Sequence, residues 1–329
     1  VDPLRLAPGA EFDLIRRFLP HAPRLGRDDV RVGPGDDCAV IDGDGIAVSV
    51  DLSIEGVHFR RAWLTPEEIG CRAASAALSD LAAMAAGPIG LLASLAVSEA
   101  DAGDFAAAVM DGVRDAAARV DAVVLGGDLT RSPGPLILDF AVLGEAAEPV
   151  LRSGARVGDE VWVTGELGGA AVAVARLLRD ELPPEDARLR FACPLPRVPE
   201  AIWLRERGVP RAMIDLSDGL AGDAAHLGAA SGVAVLLDPE AIPVHASALS
   251  DAATRDEALR YAVAGGEDYE LCFAAAPGAV EPLRERFAAE FGVPLTRVGR
   301  IAEGEGVAWE ADGSRRRLDL EGFQHFRSE

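Results

Sequence analysis

Ala212-Met213-Ile214-Asp215-Leu216-Ser217-Asp218-Gly219-Leu220 reads as a strand, a carboxylate turn and the start of a helix. The run 212–216 is mostly apolar and of strand length. Ser217 and Asp218 are residue types that cap helices, and Gly219 lets the chain turn between the two elements. A helix is expected from there to Ser231. Similar acid-bearing junctions recur along the chain. Asp51 closes Ile46-Ala47-Val48-Ser49-Val50, and Asp128 follows Gly126-Gly127 behind the apolar run 122–125. Glu267 and Asp268 follow Gly265-Gly266 just ahead of a strand at 270–275, and Asp36-Asp37 follow the turn Gly33-Pro34-Gly35. Strands and helices that alternate in this way predict a mixed α/β fold.

Outward from these junctions, the pattern predicts a short N-terminal helix over 11–19. Thr65-Pro66-Glu67-Glu68 starts a longer helix, with a capping threonine, proline in the first turn and acids beside it. That helix should run to about Ala86 and stop at Gly87-Pro88. A strand at 89–97, a helix at 101–119 and strands at 122–125 and 136–143 follow. Turn-rich sequence at 145–158 places a domain boundary near Ala147, giving domains 1–147 and 148–329. The second half opens with a strand at 160–164. The glycine turn 165–169 fits neither standard phosphate-loop spacing and reads as a tight strand-to-helix connection. A helix at 170–178, strands at 233–237 and 295–302 and a helix at 279–291 complete the pattern. Trp203 and Trp309 read as packing residues.

The 329 residues carry a net charge of −22, with 49% apolar residues. That is enough apolar material for a core, and the length favours two domains. The acidic balance argues against nucleic acid and anionic membrane as partners. There is no lysine. A phosphate-loop lysine, a protein-kinase strand lysine and a Schiff base are therefore excluded. Cationic contacts must come from arginine, a metal ion or backbone N–H groups. The four cysteines, Cys38, Cys71, Cys193 and Cys272, have no C-x-x-C spacing, which argues against a disulfide framework or zinc site. No basic leader or bilayer-spanning apolar run is evident, so a reduced cytoplasm is the expected compartment.

Asp80 is the least ordinary carboxylate. In Ala77-Leu78-Ser79-Asp80-Leu81-Ala82-Ala83-Met84 its neighbours at helical spacing are alanines and Met84, so it needs a pair, a proton or a metal ion. Several such acids beside glycines suggest one shared cavity whose repulsion is relieved by cations. All-oxygen donors favour magnesium, and several magnesium ions suit a polyphosphate substrate. A calcium-stabilised structural protein is the competing reading, but it lacks the D-x-D-x-D-G loop.

At these residues the chain resembles the thiamine-monophosphate kinase family of the aminoimidazole-ribonucleotide-synthetase-like superfamily. The likeness rests on Gly35-Asp36-Asp37-Cys38-Ala39-Val40, Ser49-Val50-Asp51 with Glu55-Gly56-Val57-His58-Phe59, and the Ser79-Asp80 helix. It continues through Gly126-Gly127-Asp128-Leu129-Thr130-Arg131, the Asp215–Asp218 junction and Gly265-Gly266-Glu267-Asp268-Tyr269-Glu270-Leu271. The resemblance implies two domains, the first forming a barrel shared between the subunits of a homodimer and the second a packed α/β domain. It implies ATP and thiamine monophosphate as substrates, several Mg2+ ions, and thiamine diphosphate as the product of direct phosphoryl transfer.

Carried over, the metal ligands would be Asp37, Ser49, the Val50 carbonyl, Asp51, Asp80, Asp128, Asp215 and Asp218, with Asp51, Asp128 and Asp215 central to catalysis. Gly127, Asp128, Arg152 and Ser217 would contact ATP, and His58, Glu267 and Phe323 thiamine monophosphate. Val50 and Leu129 depart from the family's threonines, and Pro34 from an apolar residue. The superfamily relatives hydrogenase maturation factor and selenophosphate synthetase are disfavoured, because the former's C-terminal cysteine is not found in Phe326-Arg327-Ser328-Glu329 and the latter's N-terminal cysteine is not found before Gly35. A catalytically silent nucleotide-binding protein is the alternative of another class.

Overall fold

The computed structural model describes residues 30–32, 36–42, 45–311, 314–318, 320 and 322. The expected helix at 11–19, the turn Gly33-Pro34-Gly35 and Phe323 lie outside the described residues.

Two sheets organise the molecule, and the fold is mixed α/β. The first contains β1 (Val30–Val32), β2 (Ala39–Ile41), β3 (Ile46–Ile54), β4 (Gly87–Val97), β5 (Val123–Arg131) and β6 (Ile137–Glu145), in the order β1-β2-β3-β6-β4-β5. All neighbours are antiparallel except β4 and β5. A parallel pair needs a crossover, and the helix between those two strands supplies it.

One face of this sheet is covered by α1 (Pro66–Ala83) and α2 (Asp104–Ala118). α1 begins where the sequence places it: the Thr65 hydroxyl accepts from the Glu68 N–H, and the Glu68 carboxylate accepts from the Thr65 N–H. Its alanines bring the two helix backbones together. A Cβ on Gly70 would collide with the Val109 carbonyl, and one on Gly112 with that of Glu67.

The second sheet is built from β7 (Glu160–Thr164), β8 (Pro210–Asp215), β9 (Ala234–Leu237), β10 (Leu271–Ala275), β11 (Leu295–Ala302), β12 (Val307–Ala311) and β13 (Ser314–Arg317). Its order is β13-β12-β9-β11-β7-β10-β8. Around it lie α3 (Gly169–Leu178), α4 (Glu185–Ala192), α5 (Val198–Glu206), α6 (Leu220–Ser231), α7 (Ala246–Asp251), α8 (Arg255–Ala264) and α9 (Arg284–Phe291). The helix expected over 279–291 forms only from Arg284, after a single 3-10 turn at Glu281–Leu283. Trp203 packs edge-on against Phe287, with ring centroids 5.5 Å apart.

Two expectations need correction. The strand expected to end at residue 125 continues through Gly126 and Gly127 to Arg131. Gly127 is no turn former there, because its α-carbon presses on β4, where a Cβ would meet the Ala93 carbonyl. The cysteines are not all unpaired either. Cys71 on α1 and Cys193 after α4 form a disulfide with Cα atoms 5.3 Å apart, while Cys38 and Cys272 are buried and free. The pairing joins positions 122 apart in sequence, which spacing cannot reveal. It also removes unpaired cysteines as an argument for a reducing compartment. No helix among the described residues is long and apolar enough to cross a membrane.

Candidate active site

Three carboxylates from three different motifs meet at the junction of the sheets. Asp37 follows β1, Asp80 lies on α1 and Asp215 ends β8, and one oxygen of each falls within 4.8 Å of the others. Ser49 on β3 donates its hydroxyl to Asp80 Oδ2 at 2.5 Å, and Ser79 donates to Asp215 Oδ2 at 2.6 Å. Burial raises the Asp80 carboxyl well above the usual range, and the charges of Asp215 and Asp37 raise it further. Burial and Asp37 likewise push Asp215 up to about 7. Asp36 also rises to about 7, first through burial and then through Asp37. Mutual repulsion among buried acids with only oxygen donors suits a hard divalent cation.

A cavity of about 430 Å³ opens beside this cluster. Asp80 and Asp215 lie in its wall, with Asp51, Ser217 and Asp218, and His58 and Glu267 line it too. Asp51 sits within β3 rather than at its end, on the helix-covered face. His58 accepts from the Ile54 N–H at Nδ1, 3.0 Å away, which makes Nε2 the protonated nitrogen of the neutral ring. Val50 also borders the cavity, but its side chain is 64% exposed on the opposite face of the sheet.

The junction after β8 and the segment before β10 are bound together. Asp215 pairs with Leu271, the Glu267 N–H donates to the Ser217 carbonyl at 2.8 Å, and the Tyr269 N–H donates to that of Leu216. Glu267 and Tyr269 hold left-handed φ values of 63° and 49°. Such conformations in non-glycine residues concentrate at functional sites. Asp268 instead serves the fold. It accepts from the Gly168 N–H at 2.9 Å, so the glycine turn 165–169 is closed by a carboxylate. Glu270 is buried between Arg190, Arg197 and Thr164.

Not every candidate joins the cluster. Arg152 holds Asp37 in a two-pronged contact, Nε and Nη2 each at 2.7 Å. Its guanidinium thus neutralises part of the acid cluster. Asp128 stands apart. The register links Asp51, Phe140, Ala93 and Gly127 in one row, and Leu52, Asp139, Ser94 and Asp128 in the next. Adjacent rows face opposite sides of a sheet, so Asp128 lies on the face away from Asp51. It is also three strand spacings from β3, about 14 Å along the sheet. Val50, Leu52 and Leu92 share that uncovered face and are exposed. Sequence reasoning missed Arg72, which lines the cavity with Trp63 and Phe191. The available signal was a lone arginine one residue past Cys71 in an alanine-rich helix, on the same helical ladder as Ala76 and Ser79.

Residues 35–146 match the family described as AIR synthase related protein, N-terminal domain. A thiamine-monophosphate kinase of Escherichia coli (strain K12) is 34% identical over 326 residues, covering 96% of this chain and 98% of the relative. The chain belongs to the thiamine-monophosphate kinase family. A relative of that name from Bacillus subtilis (strain 168) is 31% identical over 335 residues, with 96% and 99% coverage. The fold agrees with solved members of the family. A structure described as AaThiL complexed with AMPPCP and TMP superposes with a TM-score of 0.82 at 28% identity, covering 99% of both chains. The family's enzyme from Stenotrophomonas maltophilia K279a gives 0.76 at 35% identity, covering 94% of this chain and 98% of that one. A hydrogenase maturation protein gives 0.71 at 18% identity, which speaks for the shared fold alone.

Proposed function

We propose that this chain transfers the terminal phosphoryl group of ATP to the phosphate of thiamine monophosphate, giving thiamine diphosphate and ADP. The observation that carries the reading is the meeting of Asp37, Asp80 and Asp215 beside a cavity that His58 and Glu267 also line. Full-length likeness to enzymes of that name supports it. The carboxylate donor set fits magnesium. Asp37, Asp80 and Asp215 would hold it, with Asp51, Asp218, Ser49 and the Val50 carbonyl as further ligands, and Asp128, on the opposite face of the sheet, would join only at a partner copy's site. Bound there, Mg2+ neutralises the phosphate oxygens and the acid cluster together.

The chain's own residues position the reactants. Gly127, Asp128, Arg152 and Ser217 are assigned to ATP, and His58, Glu267 and Phe323 to thiamine monophosphate. The acceptor is a phosphate monoester with a second pKa of about 6, so its oxygen is nucleophilic at neutral pH without a strong general base. Alignment and charge neutralisation then carry the reaction. Arg152 spends Nε and Nη2 on Asp37, so its remaining guanidinium N–H groups would serve the phosphates.

We also assign residues 1–147 to dimerisation and metal binding and 148–329 to completion of the substrate site. The exposed Val50, Leu52 and Leu92 on the sheet's uncovered face support a homodimer built through the first half. A cytoplasmic location goes with this reading. The deciding experiment is ATP turnover with thiamine monophosphate beside other phosphate monoesters, with and without magnesium. Selective formation of thiamine diphosphate is expected. Equal turnover of unrelated esters, or ATP binding without turnover, would overturn the assignment.

A further inference from the structure

The first half of the chain contributes one buried cation to the cavity wall that none of the roles above uses. Arg72 projects from α1 and is 3% exposed. Among the described residues, the groups that hold its guanidinium come from the second half. Nη1 donates to the Phe191 carbonyl at 2.7 Å, Cζ lies 4.3 Å from the centre of the Phe191 ring, and Nη2 is paired with Glu267 Oε1. Burying a guanidinium is costly unless its charge and donors are matched, and these three contacts match it. The carboxylate that supplies the matching charge still faces the cavity, with a side chain 28% exposed.

The backbone beneath Glu267 is held in a left-handed conformation and tied to Ser217, so its Cα has little freedom. Its side chain would otherwise retain three rotatable bonds. The Arg72 contact removes that freedom by engaging Oε1, and Oε2 is left for a ligand. Around it the wall is aromatic: Trp63, Phe191 and Tyr269. Flat apolar faces with one fixed carboxylate suit an amino-substituted or cationic heterocycle. The acid cluster, whose Asp80 and Asp215 share the cavity wall, suits the phosphates.

We propose that Arg72 is a positioning residue for the heterocyclic end of the substrate, aiming Glu267 so that Oε2 receives the ring's donors or positive charge. The proposal rests on the reading of Glu267 as a substrate contact. It also makes recognition depend on both halves of the chain, because the arginine and the carboxylate come from different halves.

The test compares Arg72→Met, Arg72→Lys, Glu267→Gln and the double variant Arg72→Met/Glu267→Gln. Steady-state constants for both substrates are measured with the melting temperature and calorimetric binding of unphosphorylated thiamine. Arg72→Met should raise KM for thiamine monophosphate roughly tenfold or more, the loss of a hydrogen bond to a charged group. The ATP constant and kcat should stay within about twofold, since the contact acts on ground-state binding. Thiamine binding should weaken in parallel. Arg72→Lys, which keeps the charge and loses the fork, should fall between, and it decides the matter if Arg72→Met does not fold. The double variant should be no worse than Glu267→Gln alone. Additive effects, or equal losses for both substrates accompanying a lower melting temperature, would overturn the positioning role. If Glu267→Gln itself leaves KM for thiamine monophosphate unchanged, the failure lies in the reading of Glu267 and the proposal falls with it.

Discussion

Neutralising Asp80 should stabilise the protein when divalent ions are absent and destabilise it, relative to wild type, when they are present. The oxygens of Asp37, Asp80 and Asp215 lie within 4.8 Å. At that separation two ionised carboxylates repel by about 3 kcal/mol at an effective dielectric of about 20. Asp80 faces two such partners, and burial together with their charges raises its carboxyl well above the usual range. Partial protonation, the Ser49 hydroxyl and Arg152 relieve part of the cost. A gain of about 1–3 kcal/mol for Asp80→Asn is therefore expected in a chelator. The amide keeps the oxygen that accepts from Ser49, so little packing is lost. Magnesium reverses the order, because an ion that binds only the folded wild type adds stability that grows with its concentration. Calorimetric melting of both proteins, in EDTA and across a magnesium titration, measures the two effects. If Asp80→Asn melts below wild type in EDTA, or if magnesium raises both melting temperatures equally, the cluster is no shared cation site.

The placement of Asp128 leads to a second expectation. If it serves as a ligand from the uncovered face, it acts on the partner copy's site, and mixing inactive Asp51→Asn with inactive Asp128→Asn should restore roughly one quarter of wild-type turnover through mixed dimers. A mixture that stays inactive, in dimers shown to exchange subunits, returns Asp128 to its own chain. Asp268 supplies a pH dependence. Burial pushes its carboxyl up to about 8 from the ordinary 3.8, so its cost to the folded state is absent below about pH 4, grows as pH rises and is complete above about 8. Asp268→Asn should flatten the fall in stability across that window, and an unchanged pH profile in urea titrations would refute this. The Cys71–Cys193 link spans 122 positions, so Cys71→Ser should cost about 2–4 kcal/mol in non-reducing buffer and nothing in strong reductant. Phe323→Ala should raise KM for thiamine monophosphate very roughly 2–30-fold with the ATP constant unchanged. A fall in melting temperature with no such selectivity would remove Phe323 from the site.

Local chemistry settled a good deal by itself. Caps and turn residues marked the start of α1 at Thr65-Pro66, and apolar runs of strand length marked β7 and β11, because those signals act within a few residues. Asp80 declared itself through its alanine neighbours, since a carboxylate in such surroundings has to be compensated. The absence of lysine limited the cationic contacts to arginine, metal and backbone. The short helices α4, α7 and α8 and the strands β12 and β13 carried weaker periodicity and were not foreseen.

Only the tertiary structure decided which of these residues meet. Asp37, Asp80 and Asp215 lie on three separate elements, and nothing local brings them within 4.8 Å. Gly126-Gly127 looked like a turn, yet its glycines allow β5 to press against β4, and the register that follows sends Asp128 to the face away from Asp51. Arg72 and Glu267, and Cys71 and Cys193, are joined by the packing of α1 against the second half of the chain. Contacts of that kind depend on how whole elements dock, and a single sequence carries no distance between residues so far apart along it.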